Sequence, residues 1–452
     1  MTMPRQVSSP SAPDIESRTL RKMTLRLIPL LALLFFVNYL DRTNIGVAAL
    51  TMNDDLGLSA TAFGFAAGLF SIPYALLEIP SNLLLDRFGA RIWLARIMVS
   101  WGIVLAATGF VNSPFTLYVA RFMLGVTEAG FYPGVVLYMT RWFPLRYRAT
   151  AMTLFGLGNP MALVLGGPIS TAVVHMPTVL GRSDWQMLFL VEGIPAVLLG
   201  VYLFFRLPER PRDVAWLSEP EKNWLESELR AESEKRTAHT VHRVRDVFRN
   251  LPVVALTIAK FCVIFAQLGV TLWLPQIIKT MGHLSTIESG LVSGFPFLIG
   301  GVASVMVGRH SDRTGERTYH IAVPALVGCI GFVIAGLTGN LILGAIGITL
   351  GASGIWVCNT VAWVLPGRYL TGAALAAGIA CINGLGNLGG FFGPYIVGWL
   401  KSATGGFHGA LFVLGLALAL DAVIIVLLGR AYQRDNPDTP VPAGPEPQHV
   451  EA

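Results

Sequence analysis

Long apolar stretches, separated by short polar segments, recur along nearly the whole chain. Each has about 20 residues, enough for a helix to cross the ~30 Å hydrocarbon layer of a bilayer. Gly and Pro occur inside several, as in the Gly-Leu-Gly-Asn-Pro sequence at 156–160, and membrane helix bundles tolerate them better than soluble helices do. The pattern predicts an all-α polytopic membrane protein with twelve spans: 25–48, 61–84, 92–111, 115–139, 149–175, 185–205, 252–280, 287–308, 320–338, 341–364, 373–399 and 406–429.

One long polar segment interrupts this pattern and divides the spans six and six. The stretch from Ser218 to Lys235 within it is rich in helix-forming residues, which fits either a short amphipathic helix on the membrane surface or a solvated connector. The first ~20 residues and the stretch from Asn436 onward have the composition of disordered tails. The predicted organisation is a cytoplasmic tail at 1–24, a six-helix half at 25–205, a cytoplasmic linker at 206–251, a six-helix half at 252–430 and a cytoplasmic tail at 431–452.

Composition and charge agree with a membrane protein. Hydrophobic residues make up 53% of the chain and charged residues only 13%, which excludes an ordinary soluble domain. The net charge of +6 could indicate a nucleic-acid partner, but 27 of the 33 Lys and Arg residues fall in tails, loops and adjoining span ends on one side of the predicted topology. This distribution follows the positive-inside rule, so both termini are expected in the cytoplasm and no nucleic acid is implied. Span 1 lacks a secretory cleavage site and should remain as the first span.

The sequence offers little for catalysis or for metal binding. The four cysteines all lie within apolar spans, so we expect no disulfide, no metal site and no cofactor. No zinc-protease, nucleophile-elbow or P-loop motif is present, and the loops are too short for a catalytic domain. An enzyme is therefore not expected. A transporter-like sensor stays open as an alternative, although it would usually need an added signalling domain.

Two short motifs repeat at an offset of about half the chain. Asp-Arg-Phe-Gly-Ala-Arg at 86–91 returns as Asp-Arg-Thr-Gly-Glu-Arg at 312–317, and Gly-Leu-Gly-Asn at 156–159 returns at 384–387. Internally repeated halves are typical of alternating-access transporters, which bind substrate near the midplane between the halves.

With these motifs the sequence resembles the major facilitator superfamily. The loop signature Gly-x-x-x-Asp-Arg-x-Gly-x-Arg is complete at 308–317, and Asn82 replaces its first Gly in the first half. The segments 38–44, 121–130 and 192–196 further resemble the anion:cation symporters, and 378–398 resembles their bacterial tartrate, phthalate and sugar-acid branch. The resemblance implies a major facilitator fold, a bacterial inner membrane, a monomer, and a small organic anion and protons as the transported partners.

Four charged residues lie well inside spans 1 and 4, away from the span ends, where charge is costly and therefore indicates function. Arg121 and Glu128 are seven residues apart and share a helix face, whereas Asp41 and Arg42 are adjacent and diverge by about 100°. An anion carrier needs a cation that stays protonated when buried, which points to Arg42, and a titrating acid, which points to Glu128. Asp41 is then a second titrating group or the partner of Arg121. Matching positions in related symporters bind the anion and carry the proton; the alternative is a salt-bridge cluster that only locks span 1 to span 4.

Uncharged and peripheral residues complete the candidate set. Resemblance to the sugar-acid members places Tyr39, Tyr74 and Asn159 in the substrate site, with a weaker match at Asn387; as alternatives, such Tyr and Asn side chains are helix-interface contacts. Glu192 is expected to be structural. Residues near the loop motifs are expected to form gating ion pairs rather than to bind ligand: Glu78, Asp86, Arg87, Arg91, Asp312, Arg313 and Arg317. Five more side chains could face the cavity, but the sequence does not orient them: Lys260, Gln267, Trp273, Asn359 and Asn383.

The function expected from this set is secondary active import of a small organic anion by proton symport and alternating access. The Tyr and Asn positions suit a hydroxy-carboxylate such as tartrate or a sugar acid. Aromatic residues in the spans, including Phe131, Tyr132 and Trp273, would suit a phthalate-like aromatic acid instead. An uncoupled facilitator or an anion exchanger remains a further alternative.

Overall fold

The computed structural model describes residues 12–177, 181–237, 250–370 and 372–435, and every regular element within them is helical. Within these ranges, twelve membrane helices, α1 to α12, correspond to the twelve predicted spans and confirm the all-α fold. The first half contains α1 Ala12–Asp55, α2 Ala60–Leu69 with Ser71–Phe88, α3 Ala90–Thr108, α4 Pro114–Glu128 with Phe131–Thr140, α5 Leu145–Gly156 with Gly158–Val174, and α6 Asp184–Arg206.

The second half repeats this arrangement. It contains α7 Leu251–Thr271 with Leu274–Gly282, α8 Thr286–Val292 with Phe295–Thr314, α9 Thr318–Leu337, α10 Leu341–Val361 with short turns Ala362–Val364 and Pro366–Tyr369, α11 Gly372–Gly386 with Gly389–Thr404, and α12 His408–Asp435. Among the described residues, eleven segments are individually long and apolar enough to cross a membrane. The exception is α11, whose two parts of 15 and 16 residues meet at Asn387 and Leu388.

Interruptions within the membrane helices place functional side chains. In α4 the first part ends at Glu128, and Gly130 then adopts a φ of 85° before the helix resumes. Only glycine adopts this left-handed backbone without strain, so the break follows directly from the Glu-Ala-Gly sequence. A Cβ at Gly130 would also collide with the Ser81 side chain. Glu128 is therefore held at the end of a helix segment against α1.

A linker helix, Glu219–Thr237, packs on the first half, so of the two alternatives for 218–235 the structure has the helix rather than an irregular connector. Lys22 of α1 pairs with Glu221 at 2.7 Å, and Arg148 of α5 pairs with Glu232 at 2.9 Å. The prediction of disorder over the first ~20 residues is wrong for those from Ala12 onward, because α1 extends past its apolar stretch and buries Thr19 completely. Residues 1–11 and the predicted tail from Asn436 lie outside the described ranges.

We call the side of the bundle that carries the linker helix the linker end, and the opposite side the far end. Close packing between the two halves is concentrated toward the far end. Gly64 and Gly68 of α2 lie against the backbone of Pro394 and Phe391 in α11, and Gly167 of α5 lies against Gly290 of α8. Thr61 also donates its hydroxyl to Ser402 at 2.9 Å.

Toward the linker end, the only hydrogen bond between the halves in the described part of the chain joins Asn383 to Glu78 at 3.3 Å. The space between the halves is therefore sealed at the far end and extends toward the linker end.

Gly64→Ala tests this seal. A Cβ at Gly64 would overlap the backbone of Pro394, so the variant should separate α2 from α11, favour opening of the far end and reduce initial uptake several-fold. Gly301→Ala is the matched control, because a Cβ there meets nothing within 4 Å. Labelling of a single cysteine introduced at Thr61, on a background in which the native cysteines are replaced, measures the opening. Equal labelling of the two glycine variants would contradict the assignment.

Candidate substrate cavity

A cavity of about 490 Å³ lies between the two halves. The predicted substrate residues Arg42, Tyr39, Tyr74, Asn159 and Asn387 all line it. A cavity of this size suits a small molecule, and its mixture of aromatic surface with a few polar groups is typical of ligand sites. The structure thus brings together residues from α1, α2, α5 and α11 that are far apart in sequence.

Arg42 and Glu128 form the central ion pair of this site. Arg42 Nε and Nη2 both lie 2.5 Å from Glu128 Oε1, and Asn38 Nδ2 donates to the same oxygen at 2.8 Å. Asn38 and Arg42 are four residues apart on α1, so they present neighbouring donors on one helix face. Glu128 Oε2 is buried and has no hydrogen-bond partner. One carboxylate oxygen is therefore shared by three donors, while the other has none.

Access to this pair runs through Arg42. The Arg42 side chain is 20% exposed and lines the cavity, whereas Glu128 is fully buried behind it. Three aromatic rings surround the guanidinium, with its Cζ 4.5 Å from the ring centre of Tyr74, 5.0 Å from Phe70 and 5.4 Å from Tyr39. Such contacts favour a cation and restrict its position.

Arg121 supplies a second buried cation on the same wall. It is 3% exposed and lines the cavity, and its Cζ lies 5.6 Å from the ring centre of Phe70. Its Nε and Nη1 atoms have no hydrogen-bond partner. A buried guanidinium with unused donors is costly unless a ligand supplies acceptors. Arg121 is therefore available to an anion in the cavity.

Asp41 faces away from the cavity. Trp101 Nε1 on α3 donates to its Oδ2 at 2.7 Å, and both residues are fully buried. The suggestion that Asp41 pairs with Arg121 is wrong: the turn of about 100° between adjacent residues aims Arg42 at the cavity and Asp41 at α3.

Glu192 lies deep in the same half. It accepts from Asn44 of α1 and from Ser170 of α5, both at 2.8 Å, and so joins three helices. Among the described residues it forms no ion pair with Arg42, and it does not line the cavity. This geometry is that of a structural carboxylate.

The second half contributes a chain of polar side chains to the opposite wall. Lys260 Nζ donates to Asn359 Oδ1 at 2.7 Å, and Asn359 Nδ2 donates to Gln267 Oε1 at 2.7 Å. All three line the cavity, as does Asn383. Trp273 does not; it is fully buried, and its indole donates to the Pro394 carbonyl.

Asp421 on α12 was missed in the sequence. It is 2% exposed, its Oδ2 has no hydrogen-bond partner, and with Lys260 it lines a second cavity of about 30 Å³. Asp421 is the one charged residue between His408 and Leu428, so the rule that singled out Arg42 and Glu128 would also have found it.

The predicted gating residues lie at the linker end, with one exception. Asp86 pairs with Arg141 at 2.6 Å, and Asp312 pairs with Arg317 at 2.6 Å, each within its own half. Arg91 donates its backbone N–H to Glu209, while Arg87 and Arg313 are exposed. The exception is Glu78, which lines the cavity and is not part of this cluster. Glu78 is close to the loop motif in sequence, but it lies further inside the bundle than the other predicted gating residues.

Residues 31–380 match the profile of the Major Facilitator Superfamily. A protein from Agrobacterium vitis, provisionally named a tartrate transporter, is 44% identical to this chain. The match covers 92% of this chain and 93% of the relative's own length. The quinolone resistance transporter of Acinetobacter baumannii is 37% identical over 94% of this chain and 98% of its own length.

Solved structures agree on the fold. A bacterial homologue of the human lysosomal transporter Spinster, crystallised inward-facing and unoccupied, superposes with a TM-score of 0.75 over 94% of this chain and 99% of its own, at 18% identity. Both sequence relatives carry names as transporters, which assigns this multi-pass membrane protein to transport rather than to enzymatic catalysis. Profile, relatives and fold agree: the chain belongs to the major facilitator superfamily of membrane transporters.

Proposed function

We propose that this protein imports a small hydroxy-carboxylate, such as tartrate or a sugar acid, by proton symport and alternating access. The observation that carries the proposal is the pair formed by Arg42 at the cavity wall and Glu128 buried behind it. A carboxylate in the cavity would contact the same guanidinium that now binds Glu128. Substrate and Glu128 therefore compete for one cation.

Competition of this kind links the substrate to a proton. If a substrate carboxylate draws Arg42 away, Glu128 remains in a buried site with its charge uncompensated, and a proton removes that charge. If the proton leaves, Glu128 again attracts Arg42 and the substrate loses its cation. Both partners then bind and leave together, which is the requirement for symport.

The charge distribution supports a cavity that faces the cytoplasm. Lys and Arg residues are concentrated in the linker and in the loops at the linker end, so the positive-inside rule makes this end cytoplasmic. Both termini are then cytoplasmic, and the cavity, which is sealed at the far end, faces the cytoplasm. We assign the protein to a bacterial inner membrane as a monomer, with the motif ion pairs Asp86–Arg141 and Asp312–Arg317 biasing its inward–outward equilibrium.

Two observations bear on the substrate. The Agrobacterium vitis relative has a provisional name as a tartrate transporter, and Tyr39, Asn159 and Asn387 supply donors and acceptors for hydroxyl groups. The second candidate is an aromatic acid such as phthalate, which the rings of Phe35, Tyr132 and Trp363 around the cavity would suit.

Uptake by proteoliposomes under an inward proton gradient tests the proposal, using labelled tartrate, a sugar acid, phthalate and a hydroxyphenylacetate. We expect accumulation of tartrate or the sugar acid that a protonophore abolishes. Accumulation of phthalate alone would support the second candidate. Uptake that only equilibrates indicates a facilitator, and uptake of none by correctly folded protein would refute organic-anion transport.

A further inference from the structure

Lys260 presents a cation on the wall opposite Arg42 that the symport scheme does not use. Its Nζ donates to the neutral amide oxygen of Asn359 at 2.7 Å and lies 4.8 Å from the ring centre of Trp363. It forms no ion pair with any carboxylate in the described part of the chain. An ammonium group has three donors, so this one keeps hydrogen-bonding capacity for a ligand.

Asp421 places a buried carboxylate on the side of Lys260 that faces away from the main cavity. Lys260 lines both the main cavity and the 30 Å³ cavity that reaches Asp421, so it lies between the carboxylate and the substrate space. Both line this small cavity, but no hydrogen bond or ion pair joins them among the described residues. The Lys260 donors are therefore not occupied by this partner.

The two walls thus offer cations on opposite sides of one cavity: Arg42 and Arg121 on the first half, and Lys260 on the second. We propose that the substrate is a small dicarboxylate, with one carboxylate bound at Arg42 and the other at Lys260. The inference rests on the proposed function and deepens it. A monocarboxylate would satisfy only one wall, whereas a dicarboxylate would bind both halves together and favour closure of the cavity around it.

Uptake of L-tartrate and of L-threonate distinguishes a dicarboxylate site from a monocarboxylate site, because threonate has a hydroxymethyl group in place of one tartrate carboxylate. Uptake of both acids is measured for the wild type, Lys260→Gln and Lys260→Arg. A charge-assisted hydrogen bond predicts a wild-type preference for tartrate of roughly 10- to 100-fold. Lys260→Gln should lower tartrate uptake much more than threonate uptake, until that preference disappears. Lys260→Arg should keep most of the preference.

Two further variants test whether the loss of the tartrate preference has a cause other than the missing Lys260 ammonium. Lys279→Gln removes a lysine from the same helix, α7, but one that contacts Thr286 rather than the cavity, and it should leave the preference intact. Lys260→Gln with Asp421→Asn removes both buried charges and keeps the test valid if the single variant folds poorly. Quenching of tryptophan fluorescence by either acid, through Trp363 beside Lys260, reports binding independently of transport.

Each outcome either supports or overturns the dicarboxylate assignment. Loss of the tartrate preference in Lys260→Gln alone or in the double variant supports the dicarboxylate assignment. Equal wild-type uptake of the two acids, or an undiminished preference in folded Lys260→Gln, overturns it and leaves organic-anion transport standing. Failure of the wild type to bind or transport any acid of the larger panel overturns the proposed function, and the dicarboxylate assignment with it.

Discussion

Arg42→Ala should reduce uptake of the transported acid to below about 1% of wild type. The variant removes the substrate's cation and also leaves Glu128 buried without its partner. Two charge-assisted hydrogen bonds from the guanidinium to a substrate carboxylate, at about 1.5–3 kcal/mol each, correspond together to at least ~100-fold in rate. Initial-rate uptake in proteoliposomes measures the effect.

Arg42→Lys tests whether transport needs only a positive charge at this position or also the planar shape of the guanidinium. Lysine keeps the charge but loses the planar fork through which Arg42 Nε and Nη2 both reach Glu128. It should therefore retain intermediate uptake. Arg206→Ala, an exposed arginine at the end of α6, is the matched control and should transport normally. Arg42→Ala with more than half of wild-type uptake would rule Arg42 out as the substrate's cation.

Glu128→Gln should abolish accumulation driven by a proton gradient while preserving exchange of labelled for unlabelled substrate across the membrane. Glutamine keeps the size of the side chain and an oxygen acceptor for Asn38, but it cannot exchange a proton in this pH range. Exchange should also become independent of pH. Counterflow and gradient-driven uptake, measured on the same vesicles, give the ratio that distinguishes coupling from simple loss of activity.

Glu192→Gln provides the control for Glu128. Glu192 is also a buried glutamate, 3% exposed and held by Asn44 and Ser170, but it makes no ion pair with Arg42. Its substitution should lower stability and leave proton coupling intact. If Glu192→Gln lost accumulation and Glu128→Gln retained it, the coupling roles would have to be reversed.

Much of the fold could be predicted because its cause is local. A helix must run on for about 20 apolar residues to cross the bilayer, so hydropathy alone shows where each span lies. The breaks in α4 and α11 could also be anticipated from Gly130 and from the Gly-Asn-Leu-Gly-Gly sequence near Asn387. The cost of charge in a membrane pointed to Arg42 and Glu128 in the same way.

What could not be predicted depends on contacts between helices. Helical periodicity put Arg121 and Glu128 on one face but did not show that Arg42 of α1, and not Arg121, binds Glu128. Nothing in the sequence indicated that the Trp101 indole would donate a hydrogen bond to Asp41. Glu78 was assigned to the loop cluster because it is close in sequence, whereas the packing of α2 against α11 turns it toward Asn383 in the cavity.

Proton uptake on substrate binding tests the central claim most directly. Purified protein in a weakly buffered solution receives the transported acid at matched pH, and the pH of the solution is recorded. Competition between substrate and Glu128 for Arg42 predicts that the wild type takes up protons as the acid binds, and that Glu128→Gln binds the acid without doing so. Binding to the wild type with no proton uptake, or with uptake equal to that of Glu128→Gln, would contradict the account.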